Sequence, residues 1–378
     1  MKITHIETRY LEVPMGGTFY PPWAPGMSSS IHQVLYVKID TDEGISGYAA
    51  TTAYAAKAAA ANIDVLVTPY LLGKDPFALE DHIRVLRIAH QRAIFAWVVE
   101  CALWDIIGKK CSQPIYKLLG GSRKTMKAYA CLAEIRDLDT RRKDLQKIKD
   151  MGFKAMKMRI HSETIAQDIE QVEMARQVLG SDIDIMCDAN QAATWASNEP
   201  GVVWDYARAL RTANELEKLG VLWLEEPLPK FDYKGLARLC QDSILPIAGG
   251  ESNRGVHEFG ALIENHCYDI IQVDPTFSEG MLQLKKLQGM CEYYNIIFQP
   301  HSWTNGLGFA YSLHLAAASN SALYIEYPYD PPVYDLASFY AILKDPITVD
   351  SEGCITISDK PGVGYEINEE AIEKYTVR

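Results

Sequence analysis

The sequence lacks the features that mark membrane proteins, secreted proteins and zinc proteins. No run reaches the roughly 18 apolar residues of a membrane-spanning helix, and the first residues, MKITHIETRYLEVP, alternate like a strand and contain no apolar signal core. None of the eight cysteines belongs to a CxxC pair. This scatter favours reduced, mostly buried thiols over a disulfide framework or a zinc site. We therefore expect a cytoplasmic protein with no membrane partner.

Basic residues are too few for a protein that binds nucleic acid. The 37 lysines and arginines stand against 49 acidic residues, and the formal net charge of −12 also argues against an anionic membrane surface. A chain of 378 residues with 48% hydrophobic and 23% charged residues is typical of a soluble protein with a large core, and its length favours two domains. We also expect a homo-oligomer.

Residues 1–122 predict an α+β domain that is separate from the rest of the chain. Two segments within residues 1–55 alternate like strands, with a DEG turn in the second, and residues 57–119 have helical apolar spacing. The second domain spans residues 123–344. Residues 345–378 follow its last repeat, and we expect them to cross back and pack on the first domain.

The second domain places one reactive side chain at the end of each of seven apolar runs. The intervals between them are 23 to 37 residues, about one strand plus one helix. The seven residues are Lys157, Asp188, Glu225, Glu251, Asp274, His301 and Glu326. Strands that alternate with helices predict an α/β fold with a parallel sheet, and side chains at the strand ends then converge where a (β/α)-barrel forms its active site. The predicted strands lie near 126–134, 153–159, 183–188, 221–225, 246–250, 270–274, 296–300 and 322–326.

Three consecutive strand ends offer only carboxylate oxygens. Asp188, Glu225 and Glu251 form a sparse all-oxygen set that leaves positions for water and substrate, which is typical of Mg²⁺ more than of Ca²⁺. Glu225 is favoured over Glu226 as the ligand, because alternation along a strand sends neighbouring side chains to opposite faces. Salt bridges to lysines across the barrel mouth are the alternative explanation of these carboxylates.

Two further pairs of residues are candidates for moving protons. Lys157 and Arg159 lie two apart on one strand, and a permanent guanidinium beside the ammonium is expected to lower the pKa of the lysine. A pair that binds phosphate or carboxylate is the alternative. Asp274 precedes His301 by one strand, and a carboxylate against one imidazole nitrogen raises the basicity of the other. Two bases beside a divalent metal suit abstraction of a proton α to a carboxylate, with Glu326, protonated or sharing a proton, helping to stabilise the enediolate.

Motifs along nearly the whole chain resemble those of one family and keep that family's order. They are RAIFAWVVECALWDIIGKK, PIYKLLGG, GFKAMKMR, CDANQ, WLEEP, GGES, IIQVD, QPHSW, YIEYP and PGVGYE. The chain resembles the mandelate racemase/muconate lactonizing enzyme family of the enolase superfamily, on the mandelate racemase side because of His301. The resemblance implies a (β/α)7β barrel under an α+β capping domain, with Mg²⁺ on the three carboxylates above. It also implies acid–base roles for Lys157 and for His301 with Asp274, a substrate-carboxylate contact for Glu326, and a substrate contact for Asn190.

The predicted reaction is dehydration of a sugar acid. Members of the family commonly carry Lys-x-Lys where this chain has Lys157 and Arg159, a departure that favours dehydration over a two-base racemisation. An aldonate-type 2,3-dihydroxy acid would give a 2-keto-3-deoxy acid, with His301 protonating the departing hydroxyl. Racemisation or epimerisation of a 2-hydroxy or amino acid and lactone cycloisomerisation remain alternatives, as does a metal-binding barrel without catalysis.

A loop rich in proline, glycine and aromatic residues, GGTFYPPWAPGMSSS, is predicted to set substrate specificity. The candidate substrate contacts are Phe19, Tyr20, Trp23, Tyr54 and Trp303. Further aromatic surface is expected from Tyr327, Tyr329 and, in a longer loop expected over the barrel mouth, Trp195. These side chains either stack on a sugar chain or pack the interface between the domains. Few basic residues occur in the loop, which favours a substrate with one carboxylate over a substrate with two.

Overall fold

The computed structural model describes residues 1–92, 95–192 and 201–377. Its first domain combines a three-stranded antiparallel sheet with helices. The strands are, in spatial order, β1 (Ile3–Phe19), β2 (Ser29–Thr41) and β3 (Ser46–Thr52). The helices are α1 (Ala56–Asn62), a π-helical turn (Ile63–Val67), α2 (Thr68–Leu71), α3 (Leu79–Arg92), α4 (Trp97–Lys110) and α5 (Ile115–Leu118).

We call this first domain the cap. Helix α4 joins the sheet of the cap to the rest of the molecule, and the helix is buried from Trp97 to Gly108. The helix approaches β3 closely, because a Cβ atom on Gly47 would lie 2.1 Å from the carbonyl oxygen of Ala102. At its other side, the carboxylate of Glu100 accepts a hydrogen bond from the amide of Leu282 at 2.9 Å. A burial pattern of this kind, without a polar stripe, is typical of a helix that packs on both sides.

The second domain is a barrel of eight parallel strands. They are β4 (Thr125–Cys131), β5 (Ala155–Arg159), β6 (Asp184–Asp188), β7 (Val221–Glu225), β8 (Ile247–Gly249), β9 (Ile270–Val273), β10 (Ile297–Pro300) and β11 (Ile325–Pro328). The helices of this domain are α6 (Leu138–Asp150), α7 (Ile165–Leu179), α8 (Tyr206–Lys218), α9 (Tyr233–Asp242), α10 (Gly255–Glu264), α11 (Met281–Tyr293), α12 (Gly306–Ala317) and α13 (Leu336–Phe339). The predicted α/β barrel with an α+β cap is confirmed, and each predicted strand lies within three residues of the observed one. No helix among the described residues is long and apolar enough to cross a membrane.

Side chains close the barrel where β10 meets β11, the two ends of the strand order. The side-chain oxygen of Gln299 accepts hydrogen bonds from the amides of Leu323 and Tyr324 at 3.1 and 3.3 Å, and its nitrogen donates to the carbonyl of Tyr324. Nearer the barrel mouth, the amide of Ser302 donates to Glu326 at 2.9 Å. We call this junction the seam. The seam lies between β10, which is followed by His301, and β11, which contains Glu326.

The last part of the chain contacts the barrel first and the cap second. Strand β12 (Cys354–Thr356) pairs antiparallel with β4. The amide of Val363 then donates to Asp105 of α4 at 2.8 Å. After α14 (Glu369–Tyr375), Thr376 forms a β-bridge with Leu11 of β1. This segment therefore ties the two domains together.

Strand β3 of the cap lies against the loops that follow β9 and β10. The Oγ1 atom of Thr51 is 2.9 Å from the Oγ1 atom of Thr276, and the hydroxyl of Thr52 donates to the carbonyl of Thr304 at 2.7 Å. In a barrel of this kind the loops at the carboxyl ends of the strands form the active site. The cap therefore touches the predicted site directly.

Candidate active site

The barrel brings the predicted strand-end side chains together in two layers. Strand pairing aligns Arg159 with Asp188 and Asp188 with Glu225, and these residues form the layer nearest the mouth. Lys157 is aligned with Met186, one pleat below. The side chains of Lys157, Asp188 and Glu225 are fully buried. Sequence alternation predicts which face a residue occupies, whereas strand register determines its depth.

Asp188, Glu225 and Glu251 form one cluster at the carboxyl ends of β6, β7 and β8. One carboxylate oxygen from each lies within 4.8 Å of the other two, and Glu226 is not part of this group. Oxygens bound to the same Mg²⁺ at about 2.1 Å lie about 3–4 Å apart, so small side-chain rotations would bring all three onto one ion. The donors are all oxygen and only three in number. These residues fit a hard divalent cation that also binds water or substrate.

Glu225 is held from below by three donors. The Nζ atom of Lys157 lies 2.5 Å from its Oε1 atom, while Trp223 and Gln272 donate to its Oε2 atom at 3.2 and 2.8 Å. Trp223 and Gln272 were not among the residues predicted from the sequence. Each lies two positions before a predicted site residue on its own run, so period-two alternation places it on the same face.

Lys157 is a buried ammonium surrounded by carboxylates. Besides Glu225, its Nζ atom lies 2.9 Å from Glu326 and 3.6 Å from Asp188. Burial lowers the pKa of Lys157, but the carboxylates of Glu225 and Glu326 outweigh burial and raise that pKa well above its usual value. The prediction that Arg159 lowers the pKa of Lys157 is therefore wrong. The guanidinium forms an ion pair with Asp188, and the ammonium has its own carboxylates close by.

His301 and Asp274 form the predicted pair. The Nδ1 atom of His301 lies 3.3 Å from Asp274, and its Nε2 atom lies 2.9 Å from Glu251 and 3.6 Å from Glu326. Burial lowers the pKa of His301, but Glu251 and Glu326, with the hydrogen bond to Asp274, raise it well above its usual value. Phe277 packs edge-on against the ring with centroids 5.6 Å apart. One imidazole nitrogen is thus held in place while the other faces the carboxylates.

Glu326 lies between the two cationic groups of the site. Lys157 and His301 approach it from either side, and the amide of Ser302 donates to it at 2.9 Å. Burial raises the pKa of Glu326, but Lys157 and His301 outweigh burial and hold that pKa below its usual range. Two cations therefore stabilise the charged carboxylate, which disfavours the protonated form of Glu326, while the alternative that Glu326 shares a proton stays a prediction.

Arg159 lies at the end of β5 between two indole rings. Its guanidinium carbon is 5.2 Å from the centre of the Trp23 ring and 5.0 Å from that of Trp303. The guanidinium also forms an ion pair with Asp188. Arg159 thus stands at the height of the carboxylate cluster, and a substrate entering from the mouth meets it before Lys157.

Four rings form an aromatic wall above Arg159, namely Phe19, Trp23, Trp303 and Tyr334. The ring centroids of Phe19 and Trp23 are 5.6 Å apart, those of Trp23 and Trp303 are 6.2 Å apart, and those of Trp303 and Tyr334 are 4.4 Å apart. Phe19 is buried and supports Trp23 from behind. Tyr334 follows the last barrel strand and was not predicted, because only the tertiary fold brings it to the specificity loop.

The other predicted substrate contacts differ in their surroundings. Tyr20 and Tyr54 are 64% and 62% exposed, and their contacts with substrate remain predictions. The backbone amide of Asn190 donates to Asp188 at 2.8 Å, and its side-chain Oδ1 atom is buried without a hydrogen-bond donor among the described residues. Trp195 and most of the loop predicted over the barrel mouth lie outside the described residues.

Replacing Trp23 with leucine is expected to change substrate preference far more than Mg²⁺ affinity. Trp23 contacts the guanidinium of Arg159, whereas the carboxylate cluster lies on other strands. Lost apolar contact in a binding pocket shifts the ratio of kcat/KM between two acids by about 10- to 100-fold. Calorimetry should show Mg²⁺ affinity within about twofold of the parent. Phe231→Leu, at an exposed aromatic residue, is the matched control, and equal losses of Mg²⁺ affinity and of specificity in Trp23→Leu would contradict the assignment.

Two family models match the chain. The model described as "Mandelate racemase / muconate lactonizing enzyme, N-terminal domain" matches residues 20–120, and the model described as "Enolase C-terminal domain-like" matches residues 140–371. The two matched ranges correspond to the cap and to most of the barrel with the segment that follows it.

Proteins similar to this chain have different activities. Arabinonate dehydratase of Saccharolobus solfataricus is 31% identical over 366 residues, which cover 93% of this chain and 92% of that protein. D-galactarolactone cycloisomerase of Agrobacterium fabrum is 27% identical over 99% of both chains. A racemase from Streptomyces coelicolor A3(2), solved with bound magnesium, has a TM-score of 0.87 at 22% identity, with coverage of 99% of this chain and 100% of that one. This last likeness concerns the fold.

Proposed function

Because the chain belongs to the mandelate racemase/muconate lactonizing enzyme family of the enolase superfamily, we propose that it is a Mg²⁺-dependent dehydratase of a sugar acid. The proposed substrate is a small monocarboxylate, an aldonate-type 2,3-dihydroxy acid, and the product is a 2-keto-3-deoxy acid. One observation carries the proposal. Among the described residues, one His–Asp pair faces the carboxylate cluster, and β5 presents Arg159, which cannot act as a base, beside Asp188.

Arg159 argues against inversion of configuration at the α-carbon. Inversion requires a proton acceptor on one face of that carbon and a proton donor on the other. A guanidinium has a pKa above about 12 and stays protonated near neutral pH. Lys157 lies one pleat lower, where Glu225 and Glu326 keep its proton in place. Glu251 and Glu326 raise the pKa of His301 as well, but Glu251 is one of the three carboxylates that would hold Mg²⁺, and its charge would then stabilise the imidazolium less. Of the two candidate bases, His301 is therefore the one that we assign to proton exchange with the substrate.

Dehydration can proceed with one acid–base residue. His301 takes the proton from C2, and the electrons of the C–H bond form the enediolate of the carboxylate. The imidazolium then gives that proton from Nε2 to the 3-hydroxyl, the C3–O bond breaks, and water leaves. The resulting enol becomes the 2-keto-3-deoxy acid. Asp274 holds Nδ1–H during both transfers, which keeps Nε2 directed toward the substrate.

The negative charge that develops on the substrate carboxylate needs nearby cations. Asp188, Glu225 and Glu251 would hold Mg²⁺, which when bound would supply a Lewis-acid charge for that carboxylate. Lys157 adds a permanent ammonium beneath the same cluster. A positioned charge in a buried site stabilises a developing anion far more than the same charge in water.

The polar groups near the mouth suit a hydroxylated chain with one carboxylate. The buried Oδ1 atom of Asn190 can accept a hydrogen bond from a substrate hydroxyl. Among the described residues, the cation in contact with the aromatic wall is Arg159, and it is already paired with Asp188. Aromatic faces and a hydroxyl acceptor favour an aldonate over an acid with a second carboxylate.

Cycloisomerisation of a sugar lactone is the second candidate. D-galactarolactone cycloisomerase, which aligns over 99% of both chains, supports this alternative. The same His301 would serve it, because the proton is again taken from a carbon beside a carbonyl group.

Incubation of the Mg²⁺-loaded protein with a panel of aldonates and sugar lactones tests the proposal. We expect at least one aldonate to release a 2-keto-3-deoxy acid, measured by the ultraviolet absorbance of its semicarbazone. In D₂O, the recovered aldonate should contain no C2 epimer, because Arg159 cannot return a proton to the other face. Turnover of lactones alone would favour the cycloisomerase. A change in optical rotation without any keto acid would overturn the proposal in favour of a racemase or epimerase.

A further inference from the structure

A chain of buried hydroxyl groups connects the cap to the His–Asp pair. Thr51 at the end of β3 and Thr276 in the loop after β9 are both fully buried, and their Oγ1 atoms are 2.9 Å apart. The hydroxyl and the amide of Thr276 lie 2.7 and 2.8 Å from one oxygen of Asp274. The other oxygen of Asp274 lies 3.3 Å from the Nδ1 atom of His301.

The donor and acceptor properties of these groups fix the direction of each hydrogen bond in this series. An ionised carboxylate only accepts hydrogen bonds, so the hydroxyl of Thr276 must donate its single proton to Asp274. The hydroxyl of Thr51 must then donate to Thr276. Asp274 has one oxygen fixed by two donors, and its second oxygen accepts Nδ1–H of His301. That tautomer leaves Nε2 as the nitrogen that exchanges protons.

We propose that Thr51 is a positioning residue of the cap, which orients Asp274 and thereby the imidazole of His301 through Thr276. This proposal rests on the proposed function in one respect only, namely the assignment of His301 as the residue that exchanges a proton with the substrate. The loop of Thr276 is anchored within itself, since the amide of Asp274 donates to Ser278 at 3.0 Å and the amide of Ser278 donates back to the carbonyl of Asp274 at 2.8 Å. From outside that loop, Cys101 and the amide of Gly255 contact the carbonyls of Pro275 and Ser278 at 3.4 and 3.0 Å, whereas Thr51 contacts the hydroxyl of Thr276 that holds Asp274.

Thr51→Val is expected to make the orientation of Asp274 and His301 less fixed without disturbing substrate binding. The valine fills the same space but donates nothing, so Thr276 loses its partner and Asp274 loses part of its orientation. We expect kcat to fall about tenfold with KM unchanged, because one hydrogen bond of this kind is worth about that factor. Thr51→Ser keeps the hydroxyl and should restore kcat. Thr52→Val is the matched control, because Thr52 bonds a backbone carbonyl at the same interface and makes no contact with Asp274 among the described residues.

A readout that needs no substrate is the Nδ1–H proton of His301 in ¹⁵N-histidine-labelled, Mg²⁺-loaded protein. Its signal is identified by its loss in His301→Asn. We expect its exchange with water to be about fivefold faster in Thr51→Val than in the parent, Thr51→Ser or Thr52→Val. Thr51→Ala serves the same purpose if the valine variant does not fold. Equal exchange rates in the parent and in either variant that lacks the hydroxyl would overturn the proposal. Faster exchange in a protein that dehydrates no aldonate would refute the proposed reaction and leave the role of Thr51 intact.

Discussion

Replacing Glu251 with glutamine is expected to weaken Mg²⁺ binding by about 100-fold or more and to abolish turnover while the barrel stays folded. Glu251 supplies one of only three carboxylates of the cluster, so its charge is a large share of what attracts the cation. Its side chain is 21% exposed, the most accessible of the three, so the substitution costs little stability. Calorimetric titration with Mg²⁺ measures the affinity, and thermal unfolding checks the fold.

Glu226→Gln is the matched control for Glu251→Gln. Burial, followed by the charges of Glu251 and Asp188, raises the pKa of Glu226 well above its usual value. Glu226 also lies outside the cluster of three carboxylates, and glutamine has nearly the shape of its side chain. We therefore expect this variant to keep Mg²⁺ affinity within about twofold. Full activity in protein treated with EDTA would contradict the metal site as a whole.

His301→Asn is expected to reduce dehydration by about 10²- to 10⁴-fold, the usual contribution of a positioned acid–base group. It should also remove exchange of the α-proton with D₂O, because the other candidate base, Lys157, lies one pleat lower with Glu225 and Glu326 around its ammonium. Asparagine keeps a polar side chain beside Asp274 but cannot accept and return a proton.

Lys157→Met provides the comparison for His301→Asn. We expect this variant to lose substrate affinity and stability, because Glu225 and Glu326 would lose their buried cation, but to retain some exchange of the α-proton. The reverse pattern, with exchange kept in His301→Asn and lost in Lys157→Met, would transfer the role of base to the lysine. Proton NMR of the acid recovered from D₂O distinguishes the two patterns.

The positions of the strand ends are predictable from the sequence because each apolar run stops at a polar residue. Asp188 and Glu225 each follow a short run of buried residues, and neighbouring parallel strands bring such ends to one edge. The carboxylate cluster therefore follows from spacing alone. The pairing of Asp274 with His301 follows in the same way, since their strands are adjacent.

Depth within the barrel cannot be predicted in this way. Lys157 and Arg159 share a face of β5, yet register aligns one with Met186 and the other with Asp188. That offset of one pleat decides which of them meets the substrate and which stays among carboxylates. Alternation along a strand is a local property, whereas register depends on how a neighbouring strand is fitted. For the same reason, the sequence predicts which charged residues form the site but not whether the pKa of each residue is raised or lowered.

Two residues that support the site come from elements far away in the chain. Thr51 belongs to the cap, and Tyr334 belongs to a loop after the last barrel strand. Each has an ordinary structural explanation in its own segment, as a strand threonine or a core aromatic. Only their contacts with Thr276 and Trp303, respectively, connect them with the chemistry.

The strands that carry His301 and Glu326 meet at the seam, where the described residues are joined by the side chain of Gln299 and by the bond from Ser302 to Glu326. A backbone ladder holds two strands about 4.8 Å apart whatever their side chains are. A junction made by side chains takes its width from the residues that form it. The gap between imidazole and carboxylate can therefore differ between related barrels through one or two substitutions, while every other strand pairing stays as it is. The distance between the imidazole of His301 and the carboxylate of Glu326 is therefore a feature of the fold that substitutions can adjust to the width of a substrate.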